Sequence, residues 1–442
     1  MTQRTVVIMG AAGKDFHVFN TCYRGNGDVR VAAFTATQIP GIDDRRYPAS
    51  LAGEGYPDGI PILPEQKLAD VIQKHGVEDV IFAYSDVSYA YVEERGAIAR
   101  KAGAEFHTFD VDRTMIKSSK PVIAVCAVRT GCGKSQTSRR ILTLLRDKGQ
   151  KTVAIRHPMP YGDLARQAVQ RFATLEDLTR HDCTIEEMEE YEPHIRHGHV
   201  VYAGVDYAAI LAEAELEADV ILWDGGNNDT PFYRPDLLIT VADALRPGHE
   251  LDYFPGRVNF EMADVILINK CDSAEEEAIA QIEKNASQLN PDATVLRAES
   301  PVTVTDPESI RGKRVLVVED GPTLTHGGMK IGAGVVAARQ CGVSEIIDPR
   351  PFAVGEIAET YRSYPNTGKI LPAMGYGEQQ MKDLTETIRR ADCDAVVVGT
   401  PIDLARVIEI DKPNVRVTYD LSEATDAPLL RAIEGAIDRA NG

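Results

Sequence analysis

The chain has 442 residues, 43% hydrophobic and 26% charged, which suits a soluble globular protein long enough for two or three hydrophobic cores. Its 67 acidic against 48 basic side chains give a formal net charge of −19, a field that repels nucleic acid and anionic membranes and excludes both as general partners. No apolar run reaches the ~20 residues that span a bilayer, and seven scattered cysteines without a Cys-x-x-Cys pair imply reduced, cytoplasmic thiols.

The first residues are too short a leader for secretion and run straight into a strand expected at 5–9. Further strands are expected at 31–36, 79–82 and 105–109, alternating with helix-period segments. Residues 1–117 are therefore predicted to form a Rossmann-like α/β domain. Its first turn, Gly10-Ala11-Ala12-Gly13-Lys14-Asp15-Phe16-His17, follows a strand and opens a helix. Gly10, Gly13, Lys14 and His17 are candidate substrate-binding residues around an anion, with an unliganded helix-cap turn as the alternative. The full G-x-G-x-x-G of dinucleotide sites is absent.

A polar stretch ending at Pro121 marks a boundary, and residues 118–442 are predicted to hold a P-loop nucleotide-binding domain with a mainly parallel sheet. A buried strand at 122–127 runs into Val128-Arg129-Thr130-Gly131-Cys132-Gly133-Lys134-Ser135 and then a helix over 136–148. Thr130, Gly131, Cys132, Gly133, Lys134, Ser135 and Gln136 are the candidate nucleotide contacts. Glycines let backbone amides close on phosphate, the ammonium of Lys134 bridges β- and γ-phosphates, and the Ser135 hydroxyl can ligate Mg²⁺. Val128 stands where the usual G-x-x-x-x-G-K-[ST] pattern begins with glycine.

The next strand, at 152–155, ends in Arg156 and His157, at the edge that faces the ligand crevice of a doubly wound sheet; both are oxyanion candidates. His194, His197 and His199 read as a solvated loop in preference to a zinc site. A strand at 219–223 ends in Asp224-Gly225-Gly226. Asp224 is the second expected Mg²⁺ ligand, Gly225 lets the backbone approach phosphate, and Asn227 and Asn228 are placed to position reacting groups. After a strand at 237–241, Arg246 and His249 make either a phosphate contact or a solvated turn. The strand at 264–268 ends in Asn269-Lys270-Cys271-Asp272, an N-K-x-D pattern in which Asn269, Lys270 and Asp272 would favour GTP. A helix over 274–289 and strands at 314–318, 394–398 and 415–418 follow, with a closing helix over 427–440. The loop after 314–318 carries His326 and Lys330, which either close over phosphate or form a surface turn. Residues 300–442 are either a subdomain or an extension of the second sheet.

Taken together, the Gly10–His17 turn, the Thr130–Ser135 loop, Trp223-Asp224-Gly225-Gly226-Asn227-Asn228-Asp229, Asn269-Lys270-Cys271-Asp272 and Thr325-His326-Gly327-Gly328-Met329 resemble the cyclic 2,3-diphosphoglycerate synthetase family. The resemblance implies an ATP-dependent, Mg²⁺-requiring ligase that closes 2,3-diphosphoglycerate into its cyclic pyrophosphate, releasing ADP and phosphate. Phosphorylation of one acceptor phosphate creates a leaving group that its neighbour displaces, an effectively unimolecular step. On that reading Lys134, Asp224, Arg156, His157, His326 and Lys330 are the catalytic candidates, the partner is a small phosphorylated acid, and the chain is expected to form a cytoplasmic dimer. The base motif keeps open GTP and a regulatory or metallocentre-assembly GTPase.

Overall fold

The architecture is that of a computed structural model describing residues 3–11, 13–36, 45–157, 163–226, 229–321, 324, 331–373, 378–401 and 404–442. Among the described residues the apolar runs form three large sheets, beside a two-stranded pairing of Val87–Ser88 with Tyr253–Phe254. The first contains β1 (Arg4–Met9), β2 (Val29–Ala36), β3 (Arg46–Tyr47), β4 (Ile60–Pro64), β5 (Asp79–Phe82) and β6 (Glu105–Thr108). Its order is β3-β4-β2-β1-β5-β6, parallel but for the β3–β4 edge. A short helix, α1 (Lys14–Val18), follows β1 and buries Phe16 against Phe34 and Tyr47.

The second sheet has eight strands: β7 (Val122–Ala127), β8 (Thr152–Arg156), β9 (Gln170–Phe172), β10 (Val200–Ala203), β11 (Val220–Asp224), β12 (Leu237–Asp243), β13 (Val265–Asn269) and β14 (Thr294–Arg297). The order β9-β10-β8-β11-β7-β12-β13-β14 is parallel except at β9–β10. Every residue of β7, β11, β12 and β13 is buried, as expected of strands covered by helices on both faces, and this is why they read as unbroken apolar runs. β7 lies at the centre and leads into α2 (Lys134–Asp147), so the glycine loop emerges between β11 and β12. Register places Asp224 beside Val125 on one side and Arg156 on the other.

Residues after 300 build their own sheet from β15 (Val302–Val304), β16 (Arg314–Asp320), β17 (Glu345–Ile346), β18 (Leu371–Ala373), β19 (Ala395–Gly399) and β20 (Asn414–Tyr419). The order is β15-β20-β19-β16-β17, with β18 added on β16. The final helix, Asp426–Asn441, returns to the second sheet: Leu429 and Ile433 join the core around Ile141 and Leu145, and Asp426 pairs with Arg140. No helix of the described residues is long and apolar enough to cross a membrane.

One close approach explains why valine is tolerated at the start of the phosphate loop. Val128 continues β7, donating its amide to the Val241 carbonyl and burying its side chain in the core. Across from it, a β-carbon on Gly256 would lie 2.0 Å from the Val128 carbonyl oxygen. Gly256→Ala is therefore expected to destabilise the protein by about 3 kcal/mol through a backbone clash. The melting temperature, compared with that of a Gly55→Ala control in open space, checks this.

Candidate functional site

Gly131 and Gly133 take φ of 80° and 105°, values that favour glycine, and turn the loop into the N-terminus of α2. A β-carbon on Gly133 would lie 2.0 Å from Asn269 Nδ2. The Asn269 amide donates to the Cys132 carbonyl (2.9 Å), Lys270 Nζ to the Gly131 carbonyl (2.6 Å) and Arg246 Nη2 to the Thr130 carbonyl (2.8 Å). These three donors fix the loop carbonyls on its outer side. Asp243, buried in β12, holds Lys270 and Arg246 from below at 2.8 Å each.

At the centre of the site is a buried charge cluster. Lys134 Nζ donates to Asp224 Oδ1 at 2.7 Å; Arg156 Nη1 lies 2.7 Å and His194 Nε2 3.0 Å from Asp224 Oδ2. Arg156 also pairs with Glu190. Burial alone would raise the Asp224 carboxyl, but Arg156 and Lys134 hold it well below the usual range. Burial, with Arg156 adding to it, lowers the Lys134 amine to about 8 against the pull of Asp224. Burial takes the His194 ring down to about 4, so a neutral imidazole serves Asp224 as a donor.

This arrangement corrects two sequence expectations. His194 is not on a solvated loop but ends the helix α3 (Ile185–Arg196), 1% exposed and aimed at Asp224. Only its i, i+3 spacing from Tyr191, a core residue of the same helix, could have signalled an inward face. The one cluster of three His, Cys, Asp or Glu side chains close enough to share a metal ion among the described residues is Asp79, Glu105 and His107, at the first sheet's edge and already bonded to Arg4. Arg156, read as an oxyanion donor, is spent on Asp224 and Glu190 and does not line the open cleft.

That cleft encloses about 300 Å³ and is walled by Gly131, Gly133, Lys134, Ser135 and Gln136 on the loop side. Lys270, Ser273 and Ser300, Glu189 and Glu190 of α3, and Glu319 and Tyr419 from the third sheet also line it. Of the N-K-x-D residues, Asn269 and Lys270 brace the loop, while Asp272 is exposed and accepts the Ser300 amide. The sequence reading passed over Glu189, Glu190, Glu319 and Tyr419, since no local motif contains them.

A second buried cluster, tightly packed, lies where the first turn meets the ends of β8 and β11. The His157 ring fits between Gly13 and Gly226, leaving no room for a β-carbon on either. Its Nδ1 lies 3.1 Å from Asp229 Oδ2, yet both Asp229 oxygens are buried without a well-aligned hydrogen bond. Lys14 Nζ sits 4.6 Å over both Phe109 and Phe232 and donates to Thr114 Oγ1, with burial lowering it to about 7 against Asp229. His17 stacks on Phe232 at 4.1 Å. The structure thus brings Gly13, Lys14, His17 and His157 together, but facing inward. The amides of Gly13 and Phe16 are taken by Asp15 Oδ1, whose carboxylate fills the turn expected to receive an anion; Gly10 closes over the same side chain. Asn227, Asn228, His326 and Lys330 lie outside the described residues.

Comparison with known proteins gives consistent matches. A family model described as the P-loop domain of cyclic 2,3-diphosphoglycerate synthetase matches residues 196–298, the stretch that carries Asp224 and Asn269. Arginine synthetase ArcE of Thermococcus kodakarensis is 60% identical over 432 residues, 98% of this chain and 96% of its own. The cyclic 2,3-diphosphoglycerate synthetase of Methanothermus fervidus is 26% identical over 237 residues, 51% of this chain and 45% of its own. Among solved structures, LpxK from Aquifex aeolicus in complex with ATP covers 84% of this chain at 12% identity, with a TM-score of 0.42.

Proposed function

We propose that this chain, which belongs to the cyclic 2,3-diphosphoglycerate synthetase family of P-loop synthetases, makes arginine by exchanging a ureido oxygen for nitrogen at the expense of ATP. The observation that carries the reading is the 60% identity with ArcE, which runs through nearly the whole of both chains.

Arginine differs from its ureido analogue, citrulline, by one nitrogen in place of the oxygen. That oxygen leaves only once it is made into a phosphate. In the first step the ureido oxygen forms a bond to the γ-phosphorus while the bond to the β-phosphate oxygen breaks and ADP departs. A nitrogen nucleophile then adds to the ureido carbon, orthophosphate leaves with the original oxygen, and the nitrogen loses a proton. The logic parallels cyclisation of a bisphosphate: an oxygen is phosphorylated, and a neighbour displaces the leaving group.

Within this scheme the amides of the Thr130–Ser135 loop and the Lys134 ammonium hold the phosphates, and Asp224 keeps that ammonium aimed and charged. The Ser135 hydroxyl and the Glu189 carboxylate line the same cleft and suit a divalent ion, which would neutralise phosphate charge there.

Ring closure of 2,3-diphosphoglycerate is the second reading, favoured by the family model on residues 196–298. The two separate in one experiment. With citrulline and ammonium or glutamine, the purified protein should release ADP and orthophosphate with arginine seen by mass spectrometry. With 2,3-diphosphoglycerate, phosphorus NMR should show no pyrophosphate resonance. A cyclic pyrophosphate product with no arginine reverses the order of the two readings.

A further inference from the structure

The glycine loop is held from the first domain as well as from its own sheet. Arg129 follows the valine that stands in place of the first glycine, and its side chain reaches Asp86 of the first domain. Nε donates to Asp86 Oδ1 at 2.6 Å, with the two side chains 4% and 3% exposed. The guanidinium lies 3.6 Å over the Tyr253 ring, and Nη1 is 3.3 Å from His249 Nδ1. The backbone of Arg129 belongs to the loop itself: its carbonyl accepts the Cys132 amide (3.4 Å) and closes the turn that contains Gly131. One short segment ties these pieces together. Tyr253 and Phe254 pair with Ser88 and Val87, directly after Asp86. Phe254 packs into the first domain's core against Phe82 (5.8 Å) and Phe109 (5.9 Å), and Gly256 lies against the Val128 carbonyl.

Asp86 combines two unfavourable features. Its backbone takes a φ of 60°, in the left-handed region that L side chains rarely adopt. Its second oxygen, Oδ2, is buried without a hydrogen bond. Both act against stability, so stability does not explain the residue. What does explain it is the bond made by the other oxygen. We infer that Asp86 is a positioning residue for phosphate binding, acting through Arg129; this rests on the nucleotide site proposed above. In the usual loop a glycine makes the first bend. Here Val128 continues β7, and the bend is set by drawing Arg129 to a fixed anion on the neighbouring domain. The charged pair fixes the Arg129 carbonyl, and with it the turn whose amides converge on phosphate. Without that anion Arg129 keeps its place over Tyr253 but loses its anchor, and the turn loosens. Nucleotide affinity thus depends on a first-domain side chain that touches no nucleotide.

Dissociation constants of the full-length protein for ATP and inorganic tripolyphosphate test this, with melting temperatures taken on the same samples. Asp86→Asn keeps the shape and the backbone preference but not the charge. It should weaken both ligands alike, by about tenfold, because the loop is disturbed and not the base contacts. It also strands the Arg129 charge and so lowers the melting temperature. The double variant Asp86→Asn/Arg129→Met removes the stranded charge and keeps a side chain over Tyr253. Its melting temperature should return toward wild type while its affinities stay about tenfold weaker. Asp79→Asn breaks the ion pair with Arg4 at the opposite end of β5 and should leave both affinities unchanged. A double variant that regains wild-type affinity together with its melting temperature overturns the assignment while the nucleotide site stands. So does wild-type binding by Asp86→Asn, or an equal loss of affinity in Asp79→Asn, which would tie affinity to the first domain's stability alone. If the wild type binds neither ATP nor tripolyphosphate, the nucleotide site and the assignment fall together.

Discussion

Lys134→Ala is expected to lower ADP formation by about a thousandfold or more while leaving the protein folded. The catalytic loss follows from position: Lys134 is the single ammonium on the glycine loop, 8% exposed, and in the proposed reaction its charge would meet the γ-phosphoryl as negative charge develops. Burial has lowered the amine to about 8 against the pull of Asp224, so it is already largely desolvated when a phosphate arrives. The fold survives because the carboxylate left behind is not orphaned. Asp224 keeps Arg156 at 2.7 Å and His194 at 3.0 Å. Coupled detection of ADP release checks the rate, and a melting curve checks the fold. Lys134→Arg should not restore activity, since a planar guanidinium does not fit the space of a point charge ringed by amides. Retention of more than about a tenth of wild-type turnover in Lys134→Ala would remove the loop from catalysis.

How much of this was legible in the residues differs between the strands and the site. The second sheet was readable because its strands are buried on both faces: 122–127 and 265–269 are unbroken apolar runs of strand length, with chemistry at their carboxyl ends. β14 was missed since Thr294–Arg297 is a half-exposed edge of four mixed residues, and β10 since its Val-Val-Tyr-Ala run follows a dense group of histidines that drew the eye to polarity. The glycine loop, Lys134 and Asp224 were found because their roles are written in contiguous sequence. Contacts assembled from distant segments were not. Nothing local tells that His194 reaches Asp224 thirty positions on, or that Glu319 lines the same cleft as Gly133. The N-K-x-D motif divides in the structure: Asn269 and Lys270 brace the glycine loop, whereas Asp272 is exposed and accepts the Ser300 amide.

Asp224→Ala should be more damaging to the fold than Lys134→Ala, although the two residues are partners in one bond. Asp224 is fully buried and is the acceptor for Lys134, Arg156 and His194 together. Its removal leaves two cations facing each other in a water-poor interior. Arg156 retains Glu190, but Lys134 retains nothing. Breaking a buried ion pair from one side costs about 3–5 kcal/mol, mostly because the stranded charge stays desolvated. Asp224→Asn should fall between, as an amide oxygen still accepts from one donor. The pH dependence has a definite sign. Arg156 and Lys134 hold the folded-state carboxyl well below its unfolded value of ~3.9. Its contribution to stability is therefore complete above about pH 4 and is lost as pH falls through the folded value. Urea midpoints for wild type and Asp224→Asn should then differ most at pH 7 and converge as the buffer is taken below about pH 4. A gap that stayed constant down to pH 2 would mean that Asp224 is held by shape alone and that its three cationic or donor neighbours do not set its ionisation.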